Sequence, residues 1–251
     1  MHHKVKGIVI KESPYGENGK LLTVLTELDG VLLVKAKGAR SILASNLKSV
    51  QLFACSNMLL YQKNTSYTLV DAELIDDFYA LRDSIDSFAL ASYCCEVAGS
   101  VAVRGADNSS NLQLLLNTLY AVSRGMISVK FAKAVFEFRL ACILGFTPEI
   151  SECAGCGSPL ETKKAGFLDI EDGVMLCAAC KESPEAAGRM IPVSPSVYDA
   201  LRYISGAKSG RIFSFLIDEN ALDELAKLSE AYLHLRLDKK YKTLDFLKTI
   251  I

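Results

Sequence analysis

Histidine is almost missing from this chain: three in 251 residues, at positions 2, 3 and 234. That scarcity removes most familiar catalytic constellations. There is no H-E-x-x-H helix of a zinc hydrolase, no G-x-S-x-G nucleophile elbow and no H-x-E deaminase signature. His234, set among Leu233, Leu235 and Arg236, reads as a surface residue of a helix. Adjacent carboxylates such as Asp76-Asp77 and Glu171-Asp172 read as solvated pairs. The expectation is a protein that is not an enzyme. Long apolar runs are missing too. The best, FALASYCCEVAGSVAV over 88–103, carries Glu96 and falls short of a membrane span, so no membrane partner is expected. No apolar stretch follows the charged MHHKVKG in the manner of a secretory signal. Internal repeats and low-complexity tracts are absent.

A phosphate-cradling loop is also missing, although PYGENGKLLTVLTE (14–27) comes near one. The required form is G-x-x-x-x-G-K-[ST], followed by a helix. Pro14 stands where the first glycine should be, and Leu21 where the magnesium-holding hydroxyl should be. The residues after Lys20, LLTVLTE, are rich in β-branched side chains and threonine, which favours a strand. The stretch therefore reads as a glycine-rich turn between strands, with an exposed Lys20 near its end and no nucleotide bound.

What is present is a folded chain: half its residues are apolar and 23% are charged. Charge is unevenly spread. Residues 1–70 hold nine Lys/Arg against four Asp/Glu, a net of about +5, and the remainder carries about −6. That asymmetry points the first segment toward a polyanion. The same segment shows strand patterns at GIVIKE, LLTVLTE and GVLLVKAKG, with Asp29-Gly30 as a hairpin turn between the second and third. VQLFACSNMLLYQK and SYTLVDAELI come next. Five strands in so short a segment predict an oligonucleotide-binding (OB) barrel over 1–76.

From Asp76 the period changes to that of a helix, through Phe78, Leu81, Ile85, Phe88 and Ser92. Further helices are predicted over 110–124, about 128–144, SPSVYDALRYIS and DENALDELAKLSEAYLHLRL. In the last, Leu222, Leu225, Leu228, Tyr232 and Leu235 form the inner stripe. The fold class is α+β: the barrel, then an all-α domain over 77–251 with a cysteine-bearing insert at 150–185.

The sharpest motif is in that insert. Cys153, Cys156, Cys177 and Cys180 form C-x₂-C-x₂₀-C-x₂-C. Each pair presents two thiolates to one point, and four sulfurs suit tetrahedral Zn²⁺. Gly157 lets the backbone turn away from the metal, and the segment between the pairs can form a small hairpin. A closed Cys₄ site leaves no open position, so one structural zinc per chain is expected. Iron can also fill four sulfurs, and unconnected or redox-active thiols are the other alternative. Cys55, Cys94, Cys95 and Cys142 sit in apolar surroundings and read as buried free thiols, which suits a reducing, cytoplasmic setting.

The basic residues of the first segment are the remaining candidates. Lys35 and Lys37, at i and i+2, share a strand face. With Lys20, Arg40 and Lys48 they can line a groove along a phosphate backbone, or they are scattered solvated charges. Tyr15 is the best-placed aromatic for base stacking. Phe53 and Tyr61 read as core.

The chain resembles the bacterial RecO family of recombination and repair mediators. The motifs that carry the likeness are GIVIKESPYGENGKLLTVLTELDGVLLVKAKGAR, AELIDDFYALRDSIDSFALASY, FEFRLACILGFTPEISECAGCG with GVMLCAAC, and YLHLRLDKKYKTLDFL. They span nearly the whole chain in order. The resemblance implies an OB barrel, a helical domain and a zinc knuckle. It implies binding of single- and double-stranded DNA and annealing of complementary strands. It also implies loading of RecA with the partner RecR, and recognition of the acidic, apolar C-terminal tail of single-strand-binding protein (SSB). By motif, Lys35, Lys37 and Arg40 would contact DNA and the four cysteines would hold the metal. One departure stands out: after KGAR many relatives continue with several more basic residues, whereas here SILASNLKSVQLF brings only Lys48. The segment with Arg236, Lys239, Lys240 and Lys242 is an alternative patch. A zinc-stabilised protein–protein adaptor that binds no DNA is the competing reading, and a hydrolase without a recognisable motif the third.

Overall fold

The computed structural model describes residues 1–37, 47–160, 166–182 and 188–250. Within them the chain divides into two compact units, Met1–Met126 with Tyr241–Ile251, and Ile127–Lys240.

The first unit is built on β1 (His2–Tyr15), β2 (Gly19–Thr26), β3 (Val31–Ala36), β4 (Cys55–Lys63) and β5 (Ser66–Asp76). They close into a barrel in the order β1-β2-β3-β5-β4, antiparallel at each step except the parallel pair β3–β5. Alternation drives the closure. Leu22 and Val24 on β2, and Leu32, Val34 and Ala36 on β3, point inward to Val9, Val50, Met58, Leu60 and Tyr67. Removing each such Val, Leu or Met side chain from water is worth about 1.5–3 kcal/mol. Their neighbours Thr23, Leu33 and Lys35 take the outer pleat. A bulge between Val9 and Lys11 bends β1, which runs on with β2 as a ribbon ending at the turn 16–18. Lys20 is the second residue of a strand, so no helix stands behind the turn.

Three helices complete this unit: α1 (Ile85–Val101), α2 (Ser109–Ser123) and α7 (Lys242–Leu247). Ser84 caps α1, its Oγ accepting from the Ser87 N–H at 3.3 Å. A 3₁₀ turn, Tyr79–Arg82, precedes α1, so the apolar spacing through Phe78 and Leu81 is not continuous helix, and Ile85 is 65% exposed. The short helix α7 lies on α1. The Tyr241 and Ser100 hydroxyls are 2.8 Å apart, the Thr243 N–H donates to Glu96 at 3.3 Å, and Leu244 and Leu247 are buried.

The second unit holds α3 (Val129–Ile143), β6 (Glu149–Cys153), β7 (Gly166–Asp169), β8 (Val174–Cys177), α4 (Ala178–Lys181), β9 (Met190–Val193), α5 (Pro195–Gly206) and α6 (Glu219–Leu237). Ser128 and Asp218 cap α3 and α6. Between these two helices Lys133 reaches Glu137 at 2.8 Å and Glu230 at 2.7 Å, and both Lys133 and Glu137 are buried. The buried arc of α6 runs from Leu228 through Leu225 to Leu233. Leu235 falls just beyond the Leu228 edge and is exposed, whereas Leu233, at the other edge, is buried although the sequence stripe omits it. Among the described residues no helix is long and apolar enough to cross a membrane.

Candidate metal centre and nucleic-acid interface

The strands of the insert order as β6-β8-β7-β9, with β7 and β8 forming the hairpin that brings the two cysteine pairs together. Cys153 ends β6, Cys156 lies in the turn after it, Cys177 ends β8, and Cys180 sits on α4. Their four sulfurs lie within 4.8 Å of one another, and those of Cys156 and Cys177 are 4.0 Å apart. Metal–sulfur bonds of about 2.3 Å in a tetrahedron put sulfurs about 3.8 Å apart, so the group can hold a metal ion.

The backbone is arranged for this. Gly157 has φ +67° and its N–H donates to the Cys153 carbonyl at 2.8 Å, closing the first turn. Gly155 is needed for a different reason, which the spacing does not reveal. A Cβ there would stand 2.8 Å from the Cys180 Cβ and 2.9 Å from its Sγ. The Cys177 N–H donates to the Cys153 sulfur at 3.2 Å. Burial raises the pKa of the Cys153 thiol, but N–H groups of Cys177, Cys156 and Gly155 together bring it down to about 6. Hydrogen bonding with Cys177, Cys156 and Cys153 pushes Cys180 the other way, up to about 12. Four converging thiols cannot all ionise on their own, and a cation among them resolves that conflict. Behind the site, Arg236 donates to the Glu171 carbonyl at 2.8 Å and lies over the Tyr232 ring, tying α6 to the β7–β8 turn.

On the barrel the register sorts the basic candidates. Lys11–Thr23–Leu33 and Ser13–Leu21–Lys35 are successive rows of the outer pleat across β1, β2 and β3. Tyr15, opposite Gly19, starts the next row, and the Lys35 ammonium lies 5.6 Å from its ring centroid. Lys37, exposed, follows β3. Lys11, exposed on this outer face, is not singled out by the sequence motifs; only the register places it there. Lys20 belongs to the opposite pleat, with Leu22 and Ala36. Its side chain is 16% exposed and donates to Glu12 at 2.8 Å, so it is not the exposed lysine that the turn suggests. Lys48 is exposed at the start of a 3₁₀ turn, Lys48–Val50. Arg40 lies outside the described residues. Phe53 is buried, but Tyr61 is 43% exposed, because it stands on the outer pleat of β4 beside His2.

Family models described as the N-terminal and C-terminal parts of recombination protein O match residues 1–78 and 82–245. A DNA repair protein RecO of Acetivibrio thermocellus is 34% identical over 98% of this chain and 96% of its own length. The chain belongs to the RecO family. Namesakes from Caldicellulosiruptor saccharolyticus and Dehalococcoides mccartyi are 26% and 28% identical, each over 98% of this chain and 98% and 95% of their own lengths. RecO membership gives this chain a role in DNA repair and recombination. Outside the cysteine cluster, the thiols of this RecO-family chain are packing groups. Cys55, Cys94 and Cys95 are buried and Cys142 half-buried. Burial pushes the Cys55 thiol up to about 11 and raises Cys95 and Cys142 as well.

Proposed function

We propose that this RecO-family chain is a non-enzymatic, DNA-binding mediator of recombinational repair, working in the cytoplasm. It binds single- and double-stranded DNA through the barrel, residues 1–76, and anneals complementary strands. The domain over 77–251 stands behind that activity, with a structural Zn²⁺ on Cys153, Cys156, Cys177 and Cys180. With RecR it helps load RecA onto DNA coated by SSB, whose acidic, apolar tail it recognises. It binds no nucleotide.

The observation that supports this reading is the outer face of β1, β2 and β3. There Lys11 and Lys35 share the outer pleat with Tyr15, and Lys37 follows. Phosphates track along such a row of ammonium groups, and an aromatic beside it offers a face for a base. Three lysine contacts release counterions with a slope of log affinity on log salt of about −2 for single strands; Arg40 and Lys48, if they reach the same strand, bring it to about −3.5. Salt titration of oligonucleotide binding tests this, comparing the wild type with a Lys11/Lys35/Lys37 triple alanine variant. A folded variant with unchanged affinity and slope moves the DNA site elsewhere, to the basic segment 236–242 first. Salt-independent or absent binding by the wild type refutes the reading and leaves the protein–protein adaptor.

A further inference from the structure

The opposite wall of the barrel has a different chemistry. A groove of about 520 Å³ lies on β1, β4 and β5, within the range of sites that bind ligands. Two cross-strand rows line it, Lys4–Leu59–Asp71 and Lys6–Asn57–Glu73. One side is therefore basic, the other acidic, and the floor carries a half-buried leucine and an amide. Lys6 also meets Glu27 at 2.9 Å. The register of β4 with β5 slips twice, and the extra residues on β5 are Val70 and Ile75, each 49% exposed. The two bulges thus turn apolar side chains outward at either end of the acidic pair.

We propose that this groove docks an extended segment of a partner protein whose side chains alternate between acidic and basic. The period of the walls carries the argument. Lys4 and Lys6 are two residues apart on one strand, and Asp71 and Glu73 two apart on another. An extended chain repeats on each side every ~6.6–6.8 Å, the same spacing, and sends alternate side chains to opposite sides. Laid along the groove, it meets with one set the Lys4 ammonium and that of Lys6, which it shares with Glu27, and with the other the carboxylates of Asp71 and Glu73. The walls are two strand spacings apart, about 9.5 Å, which leaves room for one backbone over Leu59. Val70 and Ile75 give the apolar contact that a protein interface uses beside its charges. A nucleic acid strand gains from Lys4 and Lys6 but meets Asp71 and Glu73 with like charge. The barrel is closed, so the segment is held by side chains and not by pairing with a free strand edge.

The test uses the full chain and two short fluorescein-labelled peptides of identical composition, one alternating Glu and Lys, the other with all Glu before all Lys. Anisotropy at low salt should show the alternating peptide binding at least about tenfold more tightly. The Asp71→Lys/Glu73→Lys variant should lose that preference while its affinity for single-stranded DNA does not fall. Equal binding of the two peptides by the wild type overturns the proposal without recourse to any variant. So does no detectable binding of either. If charge reversal disturbs the fold by circular dichroism, Glu73→Gln replaces it, and an unchanged peptide preference there is equally fatal. Loss of DNA affinity on Lys4→Ala/Lys6→Ala, as large as that on Lys35→Ala, would make the groove a nucleic-acid path instead. A concentration-dependent dimer abolished by the charge reversal would make its occupant a second copy of this chain.

Discussion

Replacing Lys133 by methionine removes one positive charge from between α3 and α6 and keeps nearly the same length of chain. In the native protein the ammonium lies 2.8 Å from Glu137 and 2.7 Å from Glu230. The side chain of Glu137 is fully buried, whereas that of Glu230 keeps 25% exposure. The variant leaves one carboxylate out of water without its ammonium, and breaking such a buried pair costs about 3–5 kcal/mol. At about 1.4 kcal/mol per factor of ten, slow amide exchange in α3 should accelerate by roughly two to three and a half powers of ten. Adding Glu137→Gln removes the stranded charge and should restore most of the protection, because Glu230 can be hydrated. The pH dependence has a definite sign. Burial works against the charge of Lys133, but Glu137 and Glu230 outweigh it, and the folded pKa lies above the ordinary lysine value. Its contribution is therefore complete below the unfolded pKa of about 10.4 and drains away as pH rises through the folded value; the methionine variant lacks that alkaline loss. Hydrogen exchange of the single and double variants is the assay. A cost below about 1 kcal/mol, the worth of a surface pair, or a double variant worse than the single, would refute the reasoning.

Purified protein should contain about one zinc per chain by elemental analysis, and Cys177→Ser should lower both metal content and melting temperature; stoichiometric iron, or no metal, would count against zinc. Gly155→Ala should weaken metal retention by about 10–100-fold in a chelator competition, by pushing Cys180 off the common point while leaving all four thiols in place; unchanged retention would mean that the turn has room to spare. Lys20→Ala should leave the salt slope of DNA binding unchanged, because its ammonium is occupied by Glu12 on the other pleat, whereas Lys35→Ala should flatten it by about 0.7. Equal effects would place both lysines on one phosphate track, and calorimetric ATP binding abolished by Lys20→Ala would reverse the reading of the turn.

Much of the fold was legible in the sequence because it rests on period and spacing. Alternation in LLTVLTE and GVLLVKA marks the barrel walls, and the cysteine spacing marks the metal cluster without any knowledge of the fold. What was not legible depends on register. Lys35 and Lys20 look alike in the sequence, yet the β2–β3 register pairs Lys20 with Ala36 and Lys35 with Leu21, which sends them to opposite pleats. Lys11 joins the outer face only because the bulge between Val9 and Lys11 re-phases β1 against β2. Gly155 looks like a spacer between two ligands, and its necessity appears only when Cys180 arrives from α4. Tyr61 sits in an apolar run, but period two puts it outside. The helix α7 is too short for its own pattern to announce it, and its place is set by Tyr241, Leu244 and Leu247 meeting α1.

That return of α7 sets the timetable of the protein's birth. Tyr241–Ile251 belong to the unit begun by Met1, and the whole of Ile127–Lys240 is made in between. At about 5–20 residues per second, the ribosome takes on the order of ten seconds to cross that stretch. For that time the barrel and α1 wait with the surface for Leu244 and Leu247 uncovered, a natural stopping place for a holdase chaperone. A premature stop codon near 240 would spare the barrel strands and the four cysteines, yet deliver a chain with that surface permanently bare. Such a lesion should show in cells as aggregation or proteolysis before any defect in repair can be read.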